Sequence, residues 1–286
     1  MKKKIAAFLA ATVLFASAAT ANAAAWYWLG STDKYNKLFD PASVKVVREA
    51  KSTKGSVATQ IEAWTKTTYS YAGAEETIKN YDIAAVLPNP NQLAYSLARL
   101  RVNPQNRTVL YLQENFYNAD NQVVWSRDAG NEREITSQEF DEDFYTAIVD
   151  EVFRLGETAR RKAEDRWITL YEEENAAGDK TVLKADTTTM RMKDTNLVLW
   201  EWYEHKTASG QTEIKFMKKS VNLEAGTEKV LSGKYWSATT RWQDLYDDMD
   251  GRYRPIGETS PDYKGLMRLR AFAKGYSTWV NRYSLK

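Results

Sequence analysis

The sequence predicts an α+β fold of two similar units, each an antiparallel meander β-sheet packed against a C-terminal helix. A stretch from Val102 to Phe153 recurs from Val221 to Phe272 at a constant offset of 119 positions, with 10 of the 52 paired residues identical. Both stretches run through strand, turn, strand, loop and capped helix in the same order. The strand segments alternate apolar and polar residues, which is typical of a sheet with one covered face. We therefore expect two copies of one unit.

The first 23 residues have the features of a Sec signal peptide. Lys2 to Lys4 form a basic start, residues 5–16 are apolar, and Ala21 to Ala23 form an A-x-A cleavage site. The apolar run is shorter than the roughly 20 residues that span a bilayer, and no later stretch is a predicted transmembrane helix. We therefore expect a chain exported through the Sec pathway that resides in the periplasm, at the cell surface or outside the cell.

Composition narrows the class of function. The whole chain has 40 Lys and Arg against 38 Asp and Glu, and without the three lysines of the signal peptide the balance is 37 to 38. A net charge of −1 gives no support for nucleic-acid binding. The sequence contains no cysteine, so each unit must be held without disulfides. The 10 Trp, 17 Tyr and 9 Phe can supply large buried areas instead.

The first unit is predicted to comprise residues 24–156. Asp40 and Pro41 mark a turn, because proline fixes φ and aspartate bonds to the backbone beyond it. Pro88 and Pro90 break the chain after a short helix. The predicted elements are strands at 26–29, 44–46, 57–68, 93–102, 108–117 and 122–125, with the short helix at 72–81.

A longer helix is predicted to cover this sheet. Thr136 to Glu139 fits a capping box, in which the two side chains satisfy free N–H groups at the helix start. An apolar stripe is expected to face the sheet, formed by Phe140, Phe144, Ile148, Val152 and Leu155. The acids of the first turn are interpreted as solvated carboxylates that complement the helix dipole, rather than as a metal site: Glu139, Asp141, Glu142 and Asp143.

Residues 157–166 are strongly charged and are predicted to be a solvated helical linker that extends this helix. The second unit, residues 167–286, repeats the plan of the first. The turn at Asp186 corresponds to the turn at Asp40, and Trp200 corresponds to Trp64. The remaining predicted elements are strands at 166–170, 197–203, 213–221 and 229–236, a short strand with Trp242, a helix capped by Ser260 and Pro261, and a tail with Trp279, Val280 and Tyr283.

Short motifs connect both copies to a known family. The segments are Trp28, Asp40 to Val44 (DPASV), Trp64 to Tyr69 (WTKTTY), Tyr117 before the turn at 120–121, and Ile256 to Ser260 (IGETS). They resemble the surface-adhesin protein E family of small bacterial exported proteins, here as two tandem divergent copies. Members usually carry a cysteine pair, which this chain lacks. The resemblance implies an exported α+β fold and, for some members, adhesion to host macromolecules.

The sequence gives no motif for catalysis, a metal or a cofactor. His205 is the only histidine, so a Cys/His pair is impossible and a histidine-rich zinc site is not expected. The Asp-Gly pair at 250–251 is interpreted as a hairpin turn. A calcium loop in that register would begin at Tyr246 and end at Gly257, which supply no side-chain carboxylate. We therefore expect a protein that is not an enzyme.

Aromatic residues are the candidate binding site. Trp26 and Trp28 share one face of a strand, as do Trp200 and Trp202, because side chains alternate with a period of two. Burial in the core is the favoured interpretation of these pairs, and an exposed stacking platform for a glycan or another partner is the alternative. The candidates for such a platform are Trp26, Trp28, Tyr71, Trp125, Trp200, Trp202 and Trp236.

The expected function is that of an exported, non-catalytic binding protein, surface-associated or periplasmic. Adhesin-like binding of host or cell-envelope macromolecules is the leading hypothesis. Two alternatives stay open: a periplasmic envelope-maintenance or ligand-binding module, and a secreted hydrolase that uses carboxylates. Acidic residues are abundant, but no motif orders them for hydrolysis.

Overall fold

A computed structural model describes residues 25–53, 55–135, 140–245 and 249–284. The predicted signal peptide, the capping box at 136–139 and the aspartates at 247–248 lie outside the described residues. The described chain forms two antiparallel sheets of eight strands each and a few helices. The α+β prediction of two units is confirmed at this level, although most of the structure is β.

The first sheet contains strands β1 to β8, and the second contains β9 to β16. The bounds in the first sheet are β1 (Tyr27–Ser31), β2 (Tyr35–Phe39), β3 (Lys45–Ser52), β4 (Gly55–Tyr69), β5 (Tyr95–Asn103), β6 (Thr108–Tyr117), β7 (Val123–Asp128) and β8 (Arg133–Glu134). The bounds in the second sheet are β9 (Trp167–Glu174), β10 (Lys180–Asp186), β11 (Arg191–Lys193), β12 (Asn196–Lys206), β13 (Thr212–Asn222), β14 (Thr227–Ser237), β15 (Gln243–Asp244) and β16 (Arg254–Pro255).

The two sheets have the same strand order. The first runs β1-β2-β4-β5-β6-β7, with β3 beside β4 and β8 beside β6. The second runs β9-β10-β12-β13-β14-β15, with β11 beside β12 and β16 beside β14. Each strand therefore has a counterpart eight strands later. The predicted meander describes β4 to β7, but the edge before it is split, because β2 and β3 pair with different parts of β4.

An irregularity in the strands is repeated as well. The pairing of β5 with β6 shifts by one residue between Arg99 and Leu100. The pairing of β13 with β14 shifts between Lys218 and Lys219, which lie 119 positions later. A β-bulge is a specific local feature that a sheet does not acquire at random positions. The matching bulges therefore support the duplication that the sequence predicts.

A turn with the pattern Asp-x-x-Ser, at residues 40–43, connects β2 to β3. The Asp40 carboxylate accepts a hydrogen bond of 3.0 Å from the Ala42 N–H. The Ser43 hydroxyl accepts one of 2.8 Å from the backbone N–H of Trp64 on β4. The Ser43 hydroxyl thus takes the place of the backbone acceptor that a continuous strand would offer to the Trp64 N–H. Such a bond is needed because a buried N–H requires a hydrogen-bond partner.

The second unit has an equivalent turn with the pattern Asp-x-x-Thr at residues 186–189. Asp186 accepts a hydrogen bond of 2.9 Å from the Thr188 N–H. The Thr189 hydroxyl accepts one of 3.0 Å from the Trp200 N–H. The predicted correspondence of the two turns, and of Trp200 with Trp64, is confirmed by these equivalent bonds.

One long helix covers each sheet. The helices are α1 (Tyr71–Asn80), α2 (Glu142–Phe153), α3 (Gly156–Glu164), α4 (Pro261–Gly275) and α5 (Ser277–Val280). In the first core, α2 packs Phe144 and Ile148 against the sheet residues Ile61, Leu100 and Val102. In the second core, α4 packs Leu266 and Leu269 against Leu170, Leu183, Leu197 and Leu199. Helix α1 is particular to the first unit, because the described residues 207–211 form only a short turn between β12 and β13.

Two predictions about α2 are wrong. The helix begins at Glu142, after the predicted capping box, and Phe140 lies before it on the surface. The charged segment is not an extension of α2, because Arg154 adopts a left-handed φ of 54° that ends the helix before α3 starts. A left-handed residue at this position is a common helix terminator.

The sequence predicts that the acids at the start of α2 are solvated, but in the structure two of them make tertiary contacts. The Asp141 side chain is fully buried, where it accepts a hydrogen bond of 2.8 Å from the Tyr111 hydroxyl and pairs with Arg133. Asp143 forms an ion pair of 2.8 Å with the buried Lys37. Tertiary contacts therefore use these carboxylates, and dipole complementation is a secondary effect.

A chain of alternating charges joins the two units. Glu142 in the first turn of α2 binds Arg107 at 2.5 Å and Arg166 at 3.1 Å. Arg166 in turn binds Asp186, the first residue of the second unit's turn motif, at 2.9 Å. Because Arg107 and Asp186 are buried, loss of one member would leave a desolvated charge without compensation.

The C-terminal tail crosses this seam. Trp279 and Val280 of α5 are buried in the second core, whereas Tyr283 is buried in the first. The Trp279 indole N–H donates a hydrogen bond of 2.8 Å to the Thr187 carbonyl oxygen. Tyr283 packs edge-on against Phe153 at a centroid distance of 5.0 Å. Residues after 280 therefore contribute to the unit that begins the chain.

The core face of the second sheet contains a buried lysine among three carboxylates. Lys219 lies 2.6 Å from Glu201, 2.8 Å from Asp262 and 3.2 Å from Glu228. Burial raises the pKa of Glu201 to about 7, although Lys219 acts in the opposite direction. Burial alone would lower the pKa of Lys219, but Glu201 and Asp262 hold it well above its ordinary value.

Replacing Lys219 tests whether its charge is needed to compensate the buried carboxylate of Glu201. Lys219→Leu leaves Glu201 buried without its cation, so we expect a loss of about 3 to 5 kcal/mol in the free energy of unfolding. The double variant Lys219→Leu/Glu201→Thr copies Leu100 and Thr65, the equivalent buried pair of the first unit. It should recover most of that loss in urea titrations. A double variant as unstable as the single one would contradict this account.

Glu201→Gln should change the pH dependence of stability. The folded-state pKa of Glu201, about 7, lies above its ordinary value of 4.5, so the folded chain binds the extra proton between these values. Wild-type stability should therefore fall as pH rises through this window, by on the order of 1 to 3 kcal/mol relative to Glu201→Gln. Unfolding free energies measured from pH 4 to 8 test this. Glu173→Gln, on the surface of β9, is the control, and its free energy of unfolding should stay within about 0.5 kcal/mol of the wild-type value.

Candidate functional site

The seven residues predicted for an aromatic platform do not form one surface. Trp26 and Trp28 lie on the first sheet, on the face turned away from α2. Trp200, Trp202 and Trp236 lie on the corresponding outer face of the second sheet. The other two, Tyr71 and Trp125, lie elsewhere in the first unit.

The outer face of the first sheet carries a small aromatic and cationic patch. Trp26 is half-buried, whereas Trp28 is 59 % exposed and is not a core residue. The Lys66 ammonium lies 5.9 Å from the ring centre of Trp26 and 4.4 Å from that of Tyr95. Tyr95 in turn stacks on Tyr117 with a centroid distance of 4.7 Å. The core interpretation is therefore wrong for Trp28.

The outer face of the second sheet carries a larger aromatic cluster. Trp200 is only 5 % exposed and stacks on Phe216 with a centroid distance of 4.5 Å. Trp202 lies 6.2 Å from Phe216 and 6.2 Å from Trp242. Trp242 follows β14 and is 47 % exposed. Of the tryptophans on this face, only Trp200 is buried, as the core interpretation predicts. Exposure increases from Trp200 through Trp202 to Trp242.

Trp236 belongs to the same surface. It is opposite Ile214 in the sheet register, two positions along β13 from Phe216, so both rings are on one side of the sheet. Trp202, Phe216 and Trp236 are each half-buried. We call Trp202, Phe216, Trp236 and Trp242 the tryptophan face. Trp242 and Phe216 were not among the predicted platform residues, since strand alternation does not show which strands lie side by side.

The first unit abuts one end of this outer face. Lys218 is opposite Trp200 in the register, and its ammonium binds Glu134 of β8 at 2.7 Å. Burial lowers the pKa of Lys218, although Glu134 acts in the opposite direction. The tryptophan face lies farther along the strands from this contact and remains open to solvent.

Polar groups border the aromatic row. In the register, Lys184 is beside Trp202 and Lys234 is beside Phe216, so a lysine flanks the row on each side. The Trp202 indole N–H donates a hydrogen bond of 3.1 Å to Glu204. Flat rings with hydrogen-bonding groups at their margins can stack on a ligand and orient it at the same time.

Trp125 and Tyr71 do not join either outer face. Trp125 packs at 5.1 Å from Phe116 and 5.6 Å from Tyr81, inside a small core beneath α1. Tyr71 is the first residue of α1 and is 57 % exposed. The platform interpretation is wrong for Trp125, and Tyr71 stands apart from the other candidates.

A polar cleft in the first unit escaped the sequence analysis. It has a volume of about 660 Å³ and lies on the core face of the first sheet, between α1 on one side and residues 130–133 with Phe140 on the other. Its walls include four tyrosines and an ion pair of the buried Glu114 with the partly exposed Arg127 at 2.9 Å. Burial raises the pKa of Glu114, although Arg127 acts in the opposite direction.

A larger cavity, about 1040 Å³, lies at the seam between the units. Its cations are Arg154, Arg161, Lys162, Lys274 and Arg282, against one acid, Asp165. These residues surround the C-terminal ends of α2, α3 and α4, where free carbonyl groups carry partial negative charge. Arg282, for example, donates hydrogen bonds to the carbonyl oxygens of Met190 and Thr188. The cations of this groove are therefore explained by helix ends and by the attachment of the tail.

His205 contacts a neighbouring strand of the second sheet. Its Nδ1 lies 3.0 Å from the Thr181 hydroxyl on the neighbouring strand.

Among the described residues, no helix combines the length and apolar character needed to cross a membrane. Comparison of the sequence with protein-family models and with curated protein sequences finds no match.

Proposed function

We propose that this is an exported, non-catalytic protein that binds polysaccharide chains of a host or of the cell envelope on its tryptophan face. One observation carries the proposal: three tryptophans and a phenylalanine lie side by side on the part of the second sheet that stays open to solvent. Exposed contiguous apolar surface of this kind marks interaction sites in soluble proteins.

The geometry of the face favours a saccharide chain. Sugar rings have apolar C–H faces that pack on aromatic rings, and their hydroxyl groups need hydrogen-bonding partners at the margins. Lys184, Lys234 and Glu204 provide such partners beside the rings. Because adjacent strands fix the positions of Trp202, Phe216 and Trp236, these rings lose little conformational entropy on binding.

The family resemblance supports the same proposal from another direction. We propose two protein E-like units, residues 24–156 and 167–286, joined by the linker 157–166 and preceded by a cleaved signal peptide. Adhesin-like binding at the cell surface and ligand binding in the periplasm would use the same face and differ in location. The face is a binding surface rather than a cleft, which favours a binding protein over a carboxylate-dependent hydrolase.

Substitution of an exposed tryptophan should weaken retention on polysaccharide without unfolding the chain. Trp242→Ala is expected to weaken retention in polysaccharide affinity gels by about tenfold or more, equivalent to about 1.4 kcal/mol, because one stacking ring is lost. Its melting temperature should stay close to that of the wild type. Trp28→Ala is the matched control, an exposed tryptophan on the first sheet, and should leave retention unchanged.

Trp200, the buried tryptophan beside the tryptophan face, provides a second comparison, in which stability is measured. Trp200→Ala should cost about 3 to 5 kcal/mol of stability, as expected for truncation of a buried aromatic residue. Equal retention of wild type and Trp242→Ala on every host and envelope polysaccharide tested would contradict the proposal, as would an equal loss in Trp28→Ala.

Cell fractionation tests the proposed export. The chain should be recovered outside the cytoplasmic membrane, with a mature N-terminus at Ala24 in mass spectrometry. Ala23→Arg should block cleavage, since the signal peptidase site requires small residues there. Protease treatment of intact cells then separates the surface from the periplasm. A full-length chain in the cytoplasmic fraction would contradict export.

A further inference from the structure

The cleft in the first unit lies where the hydrophobic core is interrupted. Helix α2 covers one end of the sheet's core face, and α1 covers the other end with a separate small core around Ile78 and Phe116. Between the two cores the sheet is lined by Thr67, Tyr111 and Glu114 instead of aliphatic side chains. A volume of about 660 Å³ falls within the range typical of small-molecule sites.

The second unit has an apolar pair at the positions of Glu114 and Arg127. Glu114 is opposite Arg127 in the register of the first sheet. In the second sheet the corresponding pair is Gly233 and Leu245, joined by a backbone hydrogen bond of 2.9 Å. Leu245 is buried, and a Cβ placed on Gly233 would lie 3.2 Å from its side chain. One copy thus has an apolar contact where the other has the ion pair of Glu114 with Arg127.

Tyrosine hydroxyls hold the walls of the cleft in place. Tyr81 donates a hydrogen bond of 3.0 Å to Glu114, and Tyr111 donates one of 2.8 Å to Asp141. The Arg127 guanidinium lies between these two rings, 4.8 Å from each centre. Burial raises the pKa of both phenols, so they remain neutral donors. Walls fixed in this way are preorganised for a ring-shaped ligand.

The charged groups of the cleft are paired with one another or with neighbours. Besides the pair of Glu114 with Arg127, Arg133 binds Asp141, and Glu76 binds Lys34. A charged ligand would therefore meet no uncompensated opposite charge. The side-chain amides of Asn80 and Asn131 lie in the lining and are exposed, and they form no hydrogen bond to any described residue. Each amide offers both a donor and an acceptor.

We propose that this cleft binds a single uncharged sugar residue. The apolar face of a neutral pyranose packs against the tyrosine rings, and its hydroxyl groups bond to the amides of Asn80 and Asn131. The paired charges exclude acidic and basic sugars, because such a ligand would lose hydration without gaining a counter-charge. The site is separate from the tryptophan face and does not depend on the function proposed for that surface.

Fluorine NMR of the mature chain labelled with 5-fluorotryptophan tests the proposal. Trp125 lies 5.6 Å from Tyr81 of the cleft wall and serves as the reporter, assigned with Trp125→Phe. Glucose, galactose, mannose and N-acetylglucosamine are the probes. We expect at least one of them to shift the Trp125 resonance saturably, with a dissociation constant in the millimolar range or below. Glucosamine and glucuronate should not.

Two sets of variants locate the binding. Glu114→Gly/Arg127→Leu copies the apolar pair of the second unit and should abolish the saturable shift in a folded chain. Asn80→Ala/Asn131→Ala changes only exposed side chains and should weaken binding at least fivefold. Asn91→Ala, an exposed asparagine outside the cleft, is the control and should leave binding unchanged.

Three outcomes would overturn the proposal: no saturable shift with any neutral sugar, a shift with charged sugars only, or full binding by both double variants. Trp242→Ala separates this test from that of the tryptophan face. It should lose polysaccharide retention and keep the shift at Trp125, whereas the cleft variants should show the reverse.

Discussion

The charges of Arg107, Glu142, Arg166 and Asp186 fix the relation of the two units. Asp186 also orders the turn that interrupts the edge of the second sheet, and Glu142 begins the helix that covers the first. The seam therefore connects the local geometry of one unit to the packing of the other. Buried ion pairs contribute little net stability, but removing one partner is costly, so such a chain favours one docking arrangement.

This docking determines which surfaces remain open for binding. The first unit contacts the second sheet beside Trp200, through Glu134 and Lys218. Arg191 adds a hydrogen bond of 2.5 Å to the Gln105 carbonyl oxygen, and Tyr283 of the tail enters the first core. The aromatic row on this face is buried at Trp200, next to this contact, and exposed at Trp242.

Sequence reasoning predicted the repeated features because they depend on local chemistry. The Asp-x-x-Ser/Thr turns, the alternating strands and the cap at Ser260 each require particular residues at fixed spacing, and each is found in the structure. The start of α2 was missed because the burial of Asp141 depends on Tyr111 and Arg133, which only the fold brings close. The cleft was missed because of the bulge in β6. Alternation counted from Val109 turns Glu114 outward, but the bulge shifts the register and turns it inward.

The two copies place their buried charges differently, and this difference bears on function. Lys219 replaces an aliphatic core residue of the first unit and is surrounded by its own carboxylates, so the second cluster is largely self-contained. The pair of Glu114 and Arg127 lines an open cavity. Burying either cluster costs desolvation energy that well-packed apolar residues would avoid, as Gly233 and Leu245 illustrate. A polar pair kept beside a solvent-accessible cavity can instead hold the surrounding tyrosines in position for a ligand, which an apolar contact cannot do. The divergence of the first unit from the second at these positions therefore favours ligand binding in the first unit.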